Sequence, residues 1–552
     1  MKRTKRVLGL ALAAVMCVGM LTGCSGETSS SATDSDGVST SETTSAEESS
    51  SAETEEKVLN IATIGETTTL SPLYMIADNR PTQKLLYEGL VKYVDGEIQP
   101  VLAEDWELSE DGTQLTFYLR QGVTFHDGEP FNAEAAIANI ESWHINPSFA
   151  SLPGVVDYTN IEAVDEYTIR LTYDTPYFAY INDFCWPDVC TMISPKLITQ
   201  GDFQTVNGYA GTGPYIYDEY VAGQYTTFVR NENYWGEQPY YDKIVAKYIP
   251  DNASRVQALQ TGEIDLIYGS AELSYEDYNQ ATAIEGIEGK FAPSGSTIRN
   301  IILNFNGNLA DLSVRQALAY AIDKEAISEG LTYGYEPVAN TIVPEGTPYS
   351  DICGTIEYSY DVDKANQLLD DAGWTMNEST GIREKDGTPL HVVFTCPTDD
   401  STIGSIATLL QSQLAEVGIE VEIKSMEKME WYASYMEPTW DITAMTAGFF
   451  NYAMPQCWFS AMMAQMPEDV SIPLLDNSDE FISALSEFKT CNDETRLREL
   501  FELLINTDLD QVLDVPLTHQ MDMIVYNTDK IADYNFASDY AFLDVTQITP
   551  AE

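Results

Sequence analysis

Residues 390–424 read LHVVFTCPTDDSTIGSIATLLQSQLAEVGIEVEIK. The runs 390–396 and 419–424 are rich in branched and aromatic apolar side chains, the composition of strands. Between them, 402–417 places Ile406, Leu409, Leu410, Leu414 and Val417 on one face of a helix. Gly418 suits the left-handed position that follows a helix. A strand, a helix and a second strand in that order imply parallel pairing with a right-handed crossover.

The same order recurs in the other half of the chain. Residues 243–250 read as a strand, Asn252 caps a helix to Gln260, Gly262 closes it, and 264–268 is the next strand. Residues 102–120 read as a β-hairpin about Asp111-Gly112, with Leu115, Phe117 and Leu119 on its buried face and Thr116, Tyr118 and Arg120 on the other. Asn132 caps a helix over 133–143, and Ser313 with Gln316 forms a capping box for a helix running to Ile322. The body is therefore mixed α/β. At nearly 500 residues (57–552) it exceeds what one hydrophobic core usually supports, so at least two domains are expected. Ligands on such sheets sit at the carboxyl ends of strands or in clefts between domains.

The N-terminal region has a different character. Lys2, Arg3, Lys5 and Arg6 precede an uncharged, largely apolar run over 7–21. At 15 residues it is short for a bilayer span, which needs about 20, but right for a signal core. Residues 21–24, LTGC, resemble a bacterial lipobox, which implies cleavage after residue 23 and a diacylglyceryl group on Cys24. Residues 25–56 hold 11 Ser, 6 Thr and 9 acidic residues out of 32, with no Lys or Arg. Such a stretch buries too little apolar surface to offset ordering entropy, so 24–56 is expected to be a lipidated, disordered tether. Removing the signal takes the formal charge from −59 to −63, which disfavours nucleic acid and anionic membrane surfaces as partners. After Cys24 the cysteines are Cys185, Cys190, Cys353, Cys396, Cys457 and Cys491; they fit no zinc spacing, and their pairing is open.

A series of ordered motifs runs through the body: YEGLV (87–91), DWE (105–107), DGT (111–113), FYLR (117–120), GVTFHDG (122–128), PFNAE (130–134), GTGPY (211–215), RNENYWG (230–236), GEIDL (262–266), VRQAL (314–318), AIDK (321–324) and AGW (372–374). Together they resemble the bacterial extracellular solute-binding proteins of the peptide/nickel ABC importer family. FVRNENYWGE (228–237), IYG (267–269) and IREKDG (382–387) are most similar to its nickel-chelate branch.

The resemblance implies a two-lobed, periplasmic-binding-protein-like clamshell of the large peptide/nickel type, with mixed sheets and a hinge of two crossing strands. Lobe I is expected from 57–294 plus 521–552, and lobe II from 295–520. Solute would bind between the lobes, and the closed form would dock on permease subunits carrying their ATPases. The implied partners are a small solute (a short peptide or a nickel or other metal chelate), the permease, and the membrane through the lipid anchor. A monomer without a cofactor is expected.

Neither polar anchor of the family carries over. Where the nickel branch places an arginine, in WPDVCTMISP (186–195), this chain has Thr191; 447–463 contains no histidine; and GFFNYAMP (448–455) lacks the carboxylate of the dipeptide branch. The candidate ligand-binding residues are therefore Tyr74, Met75, Arg80, Trp186, Thr191, Phe449, Phe450, Asn451, Tyr452 and Trp458, offering aromatic area, cation–π contact and, at Arg80, a partner for a ligand carboxylate. His126, His144, His391 and His519 lack metal-ligand spacing and read as structural or surface residues. No Gly-x-Ser-x-Gly, His-Glu-x-x-His or phosphate-loop motif is present, and the family the chain resembles is non-catalytic; the resemblance therefore implies a non-enzyme, with a ligand-sensing receptor and an extracellular hydrolase as the competing classes.

Overall fold

The computed structural model describes residues 56–551 apart from 75–79, 95–96, 147–148, 150–151, 187–189, 200, 202, 271, 296, 306, 344–348, 353, 399–400, 436–439, 449–477 and 537–539. The signal segment, Cys24 and all of the expected tether except Glu56 lie outside them.

Two large sheets organise the chain. The first has seven strands in the order Ile287–Phe291, Met523–Asn527, Leu266–Tyr268, Val58–Thr63, Lys243–Tyr248, Tyr225–Arg230, Tyr215–Val221. Val58–Thr63 is its centre, parallel to Lys243–Tyr248 on one side and to Leu266–Tyr268 on the other. The strand–helix–strand unit at 243–268 is thus parallel, with a third strand inserted between its members. Its helix, Asn252–Thr261, ends at Gly262 with φ of 71°. The cap is Asp251, whose extended backbone lets its carboxylate accept from the Ser254 amide; Asn252 is already helical and turns its side chain to Arg255.

The second sheet has five strands in the order Glu420–Met426, His391–Pro397, Ile442–Gly448, Thr297–Leu303, Asp514–Gln520. His391–Pro397 and Glu420–Met426 pair in parallel through seven residues. The connecting helix Ser401–Glu416 buries Ile406, Leu410 and Leu414 completely, Val417 after it is equally buried, Leu409 packs at the margin, and Gly418 has φ of 80°. Helix Leu312–Ala321 packs below and is capped by Asp311, which accepts from the Ser313 amide, so the expected Ser313 cap sits inside the first turn.

A four-stranded antiparallel sheet, Ala103–Leu108, Gln114–Leu119, Thr168–Tyr173, Tyr158–Asp165, contains the expected hairpin. Leu115, Phe117 and Leu119 are buried, and so is Thr116, because its strand is interior and Arg170 lies across from it. Asn132 caps helix Ala133–His144 through the Ala135 amide.

The cores follow the same division. The buried residues of one apolar cluster all lie between Ile298 and Leu517; those of the others lie before 293 or after 522, with Tyr335 packed against one of them from outside that range. The molecule is two-lobed, with mixed α/β sheets. The chain passes between the large sheets twice, from Phe291 to Thr297 and from Gln520 to Met523. These passages run side by side: Phe291 pairs with Met523, Thr297 with Gln520, and the Ala292 amide donates to Asp522 O at 2.8 Å. Among the described residues no helix is long and apolar enough to cross a membrane.

Candidate functional site

Three of the sequence motifs meet at one carboxylate. Glu88 Oε1 accepts from Tyr234 Oη, and its Oε2 accepts from Thr212 Oγ1 and Trp235 Nε1, each at 2.8 Å. Burial pushes the Glu88 carboxyl upward and these three donors oppose it; burial wins. The approach is close enough that Gly211 and Gly213 have no room for a side chain: a Cβ on Gly211 would lie 1.9 Å from Leu86 O, and one on Gly213 2.6 Å from Leu85 O. His126 joins the same knot, its Nε2 at 2.9 Å from Gly213 O, and burial holds its pKa down. His126 is thus a structural residue.

Against this knot lies a cavity of about 190 Å³ lined by, among others, Lys84, Tyr87, Lys92, Trp186, Thr191 and Asp544. Helix Arg80–Leu86 supplies Lys84. Thr191 is placed by an isolated antiparallel bridge to Gly89, where a Cβ would lie 2.9 Å from Cys190 O. Thr191 Oγ1 and Tyr87 Oη are buried without a hydrogen-bond partner, and burial holds the Tyr87 phenol neutral. Lys84 and Lys92 set two cations against the carboxylates of Glu88 and Asp544, so the walls are nearly balanced in charge in a very acidic chain. Such a lining suits a small solute that carries both signs, with an indole for its apolar part.

Of the expected ligand residues, Trp186 and Thr191 come together here. Tyr74 and Arg80 do not line this cavity: Tyr74 is in a turn on Ser71, and the Arg80 guanidinium stands 5.5 Å from the Phe542 ring centroid. Met75, Phe449, Phe450, Asn451, Tyr452 and Trp458 lie outside the described residues. Lys84, Lys92, Tyr87 and Asp544 went unnoticed in the sequence. YEGLV carried a signal for Tyr87 and Glu88, but nothing local to Asp544 connects it with residue 88.

Cys185 and Cys190 also line the cavity as free, buried thiols, raised in pKa chiefly by burial. Cys396 and Cys491 are likewise unpaired. Among the described residues no group of three or more His, Cys, Asp or Glu side chains is arranged to hold a metal ion.

Residues 97–464 match the family described as bacterial extracellular solute-binding proteins, family 5. The chain belongs to this family. The nickel-binding periplasmic protein of Escherichia coli K12 is 30% identical over 502 residues, covering 88% of this chain and 93% of the relative. A glutathione-binding protein from the same organism is 31% identical over 379 residues, covering 66% and 69%. Among solved structures, NikA from Brucella suis in complex with Fe(III)-EDTA is 30% identical with a TM-score of 0.83, covering 90% of this chain and all of that one. The Bacillus subtilis oligopeptide-binding protein AppA, at 20% identity and a TM-score of 0.72, shares the fold. These relatives are solute-binding proteins and not enzymes, and the two-lobed fold described above is theirs.

Proposed function

We propose that this family 5 protein captures a small metal chelate between its lobes and delivers it to an ABC permease, the chelator supplying every ligand to the metal. The observation that carries the reading is the cavity at Trp186 and Thr191 in the first lobe, whose lining brings Lys84 and Lys92 together with aromatic side chains. Lysines can pair with chelator carboxylates, and an indole can cover the chelate's apolar face. The similarity to the nickel-binding protein and to the Fe(III)-EDTA complex, each at 30% identity over about nine-tenths of the chain, supports it.

A second reading is a short peptide. The glutathione-binding relative favours it, as does the presence of two lysines and Asp544 in one lining, which suits a solute bearing both an amine and carboxylates. Native mass spectrometry with metal analysis, on protein purified without added chelator, separates the two. Retained nickel or another metal with a small polycarboxylate or amino-acid chelator supports the first. A retained peptide without metal overturns it and supports the second.

On this reading lobe I comprises 57–294 and 521–552, lobe II comprises 295–520, and the mature chain is a monomer anchored by acyl chains on Cys24 to the extracellular or periplasmic face of the cell membrane. The mass of the mature N-terminal peptide tests the anchor: a diacylated Cys24 is expected, and an unmodified chain starting elsewhere contradicts it.

A further inference from the structure

In chain order Tyr335 belongs with the five-stranded sheet, yet its ring packs against the core beside the seven-stranded one. Its centroid lies 4.6 Å from Phe291, 5.4 Å from Tyr278 and 5.6 Å from Tyr275. Its hydroxyl donates to Asn279 Oδ1 at 2.6 Å. The next residue, Glu336, is fully buried. Its Oε1 accepts from Tyr275 Oη at 2.7 Å and its Oε2 from Thr518 Oγ1 at 2.5 Å, while Arg299 Nε lies 3.0 and 2.9 Å from the two oxygens. Arg299 and Thr518 face each other on the paired strands that lead into the two passages between sheets. Tyr275, Tyr278 and Asn279 lie on helix Tyr275–Thr282, on the other side of those passages.

The two sets of ties differ in kind. Toward the second lobe, segment 332–339 is held through its backbone: Val338 bridges to Thr518, the His519 amide donates to Pro337 O and the Ala339 amide to Leu517 O, both at 2.9 Å. Ser328 Oγ and Lys324 Nζ add bonds to Glu336 O and Ala339 O. Toward the first lobe the ties among the described residues are side-chain only: two tyrosine hydroxyls and the ring packing. Tyr333, at φ of 57°, and Gly334, at 74°, turn the chain so that Tyr335 points across; the left-handed conformation disfavours tyrosine, and the turn is held by the Gly334 amide donating to Ser328 O and the Tyr335 amide donating to Thr332 O, both at 2.9 Å. A rotation between lobes leaves the backbone ties intact and breaks the side-chain ones.

We propose that segment 332–339 is a brace across the hinge. Tyr275, Asn279, Tyr335 and Glu336 hold the lobes in the arrangement of this structure and so act as positioning residues, setting solute affinity without touching solute. The proposal rests on the reading that the lobes close. A buried hydrogen bond changes a two-state ratio by roughly two- to tenfold, and by more where the acceptor is a carboxylate such as that of Glu336; apparent affinity scales with the competent fraction.

The test uses a double variant, Tyr275→Phe with Tyr335→Phe, which keeps all four rings and removes both hydroxyls that cross the hinge. Spin labels at Glu141 and Asp363, exposed on helices of the two lobes, report interlobe distance. In the solute-free double variant the ratio of molecules at the distance of this structure to those at other distances should fall by roughly fivefold or more. Thr518→Val, which removes a donor to Glu336 within the second lobe, should leave that ratio unchanged. A double variant whose solute-free distribution matches the parent overturns the brace. Fe(III)-EDTA and glutathione serve as solute probes on the parent protein. If either binds without moving the distance distribution, the closing reading fails, and the brace with it.

Discussion

The Trp235 indole nitrogen donates to the Glu88 carboxylate at 2.8 Å, joining positions 147 residues apart. Two further donors, Tyr234 Oη and Thr212 Oγ1, complete the set. Removing the acceptor leaves all three without a partner. Glu88→Ala should therefore destabilise the first lobe by about 1–3 kcal/mol, and Glu88→Gln, which keeps one oxygen, by less. Urea titration followed by tryptophan fluorescence measures both. Equal loss in the two variants would show that the acceptor oxygens contribute little.

Thr191 Oγ1 is buried without a partner, so its loss costs the free protein little. Thr191→Val should leave the thermal midpoint unchanged or slightly raised while weakening solute binding by up to about tenfold, the worth of one hydrogen bond. Trp186→Ala should weaken binding by at least about tenfold through lost aromatic contact. Calorimetric titration with the retained solute checks both. Unchanged affinity in both variants would place the solute elsewhere.

Asp183 is buried, accepts the Gly154 amide at 2.7 Å, and is pushed up to about 8, first by burial and further by Asp157; the Gly154 amide and Lys489 oppose the shift. Its unfolded pKa is about 3.9. Between these values the folded chain holds a proton that the unfolded chain has released, so this group makes stability fall as pH rises from about 4 to about 8. Asp183→Asn imitates the protonated form. It should raise the thermal midpoint by roughly 4 °C or more at pH 8.5 and leave it nearly unchanged at pH 4. A pH-independent difference would contradict the assignment.

Two glycines should respond in opposite directions. On Gly211 a Cβ would lie 1.9 Å from Leu86 O, so Gly211→Ala should cost several kcal/mol, on the order of 3 or more, or abolish soluble expression. Gly404 sits inside helix Ser401–Glu416 with nothing within 4 Å of a Cβ, so Gly404→Ala should stabilise by about 1 kcal/mol. Thermal unfolding of the pair checks both signs.

Much of the local architecture was legible because its causes are local. The helix in 402–417 declares itself by apolar spacing, Gly418 by the left-handed turn, and Asn132 by its place before a helical run. The capping residues at 251 and 311 were misread because each Asp precedes a second good cap, Asn252 or Ser313, within two positions, and only the backbone angles choose between them. Pairing across long separations left no local trace: nothing in 243–268 announces that Val58–Thr63 inserts between its two strands. The site was legible to the same extent. Trp186 and Thr191 lie in one short segment that the family resemblance marks, whereas Lys84, Lys92 and Asp544 reach the cavity from separate stretches and meet only through the fold.

Capture as proposed requires two lobes that close around a solute. Small-angle X-ray scattering of the protein, with its retained solute and again after that solute is removed by unfolding and refolding, tests this most directly. A smaller radius of gyration in the loaded form, restored when solute is added back, is the predicted result. Superimposable scattering profiles for loaded and emptied protein would contradict it.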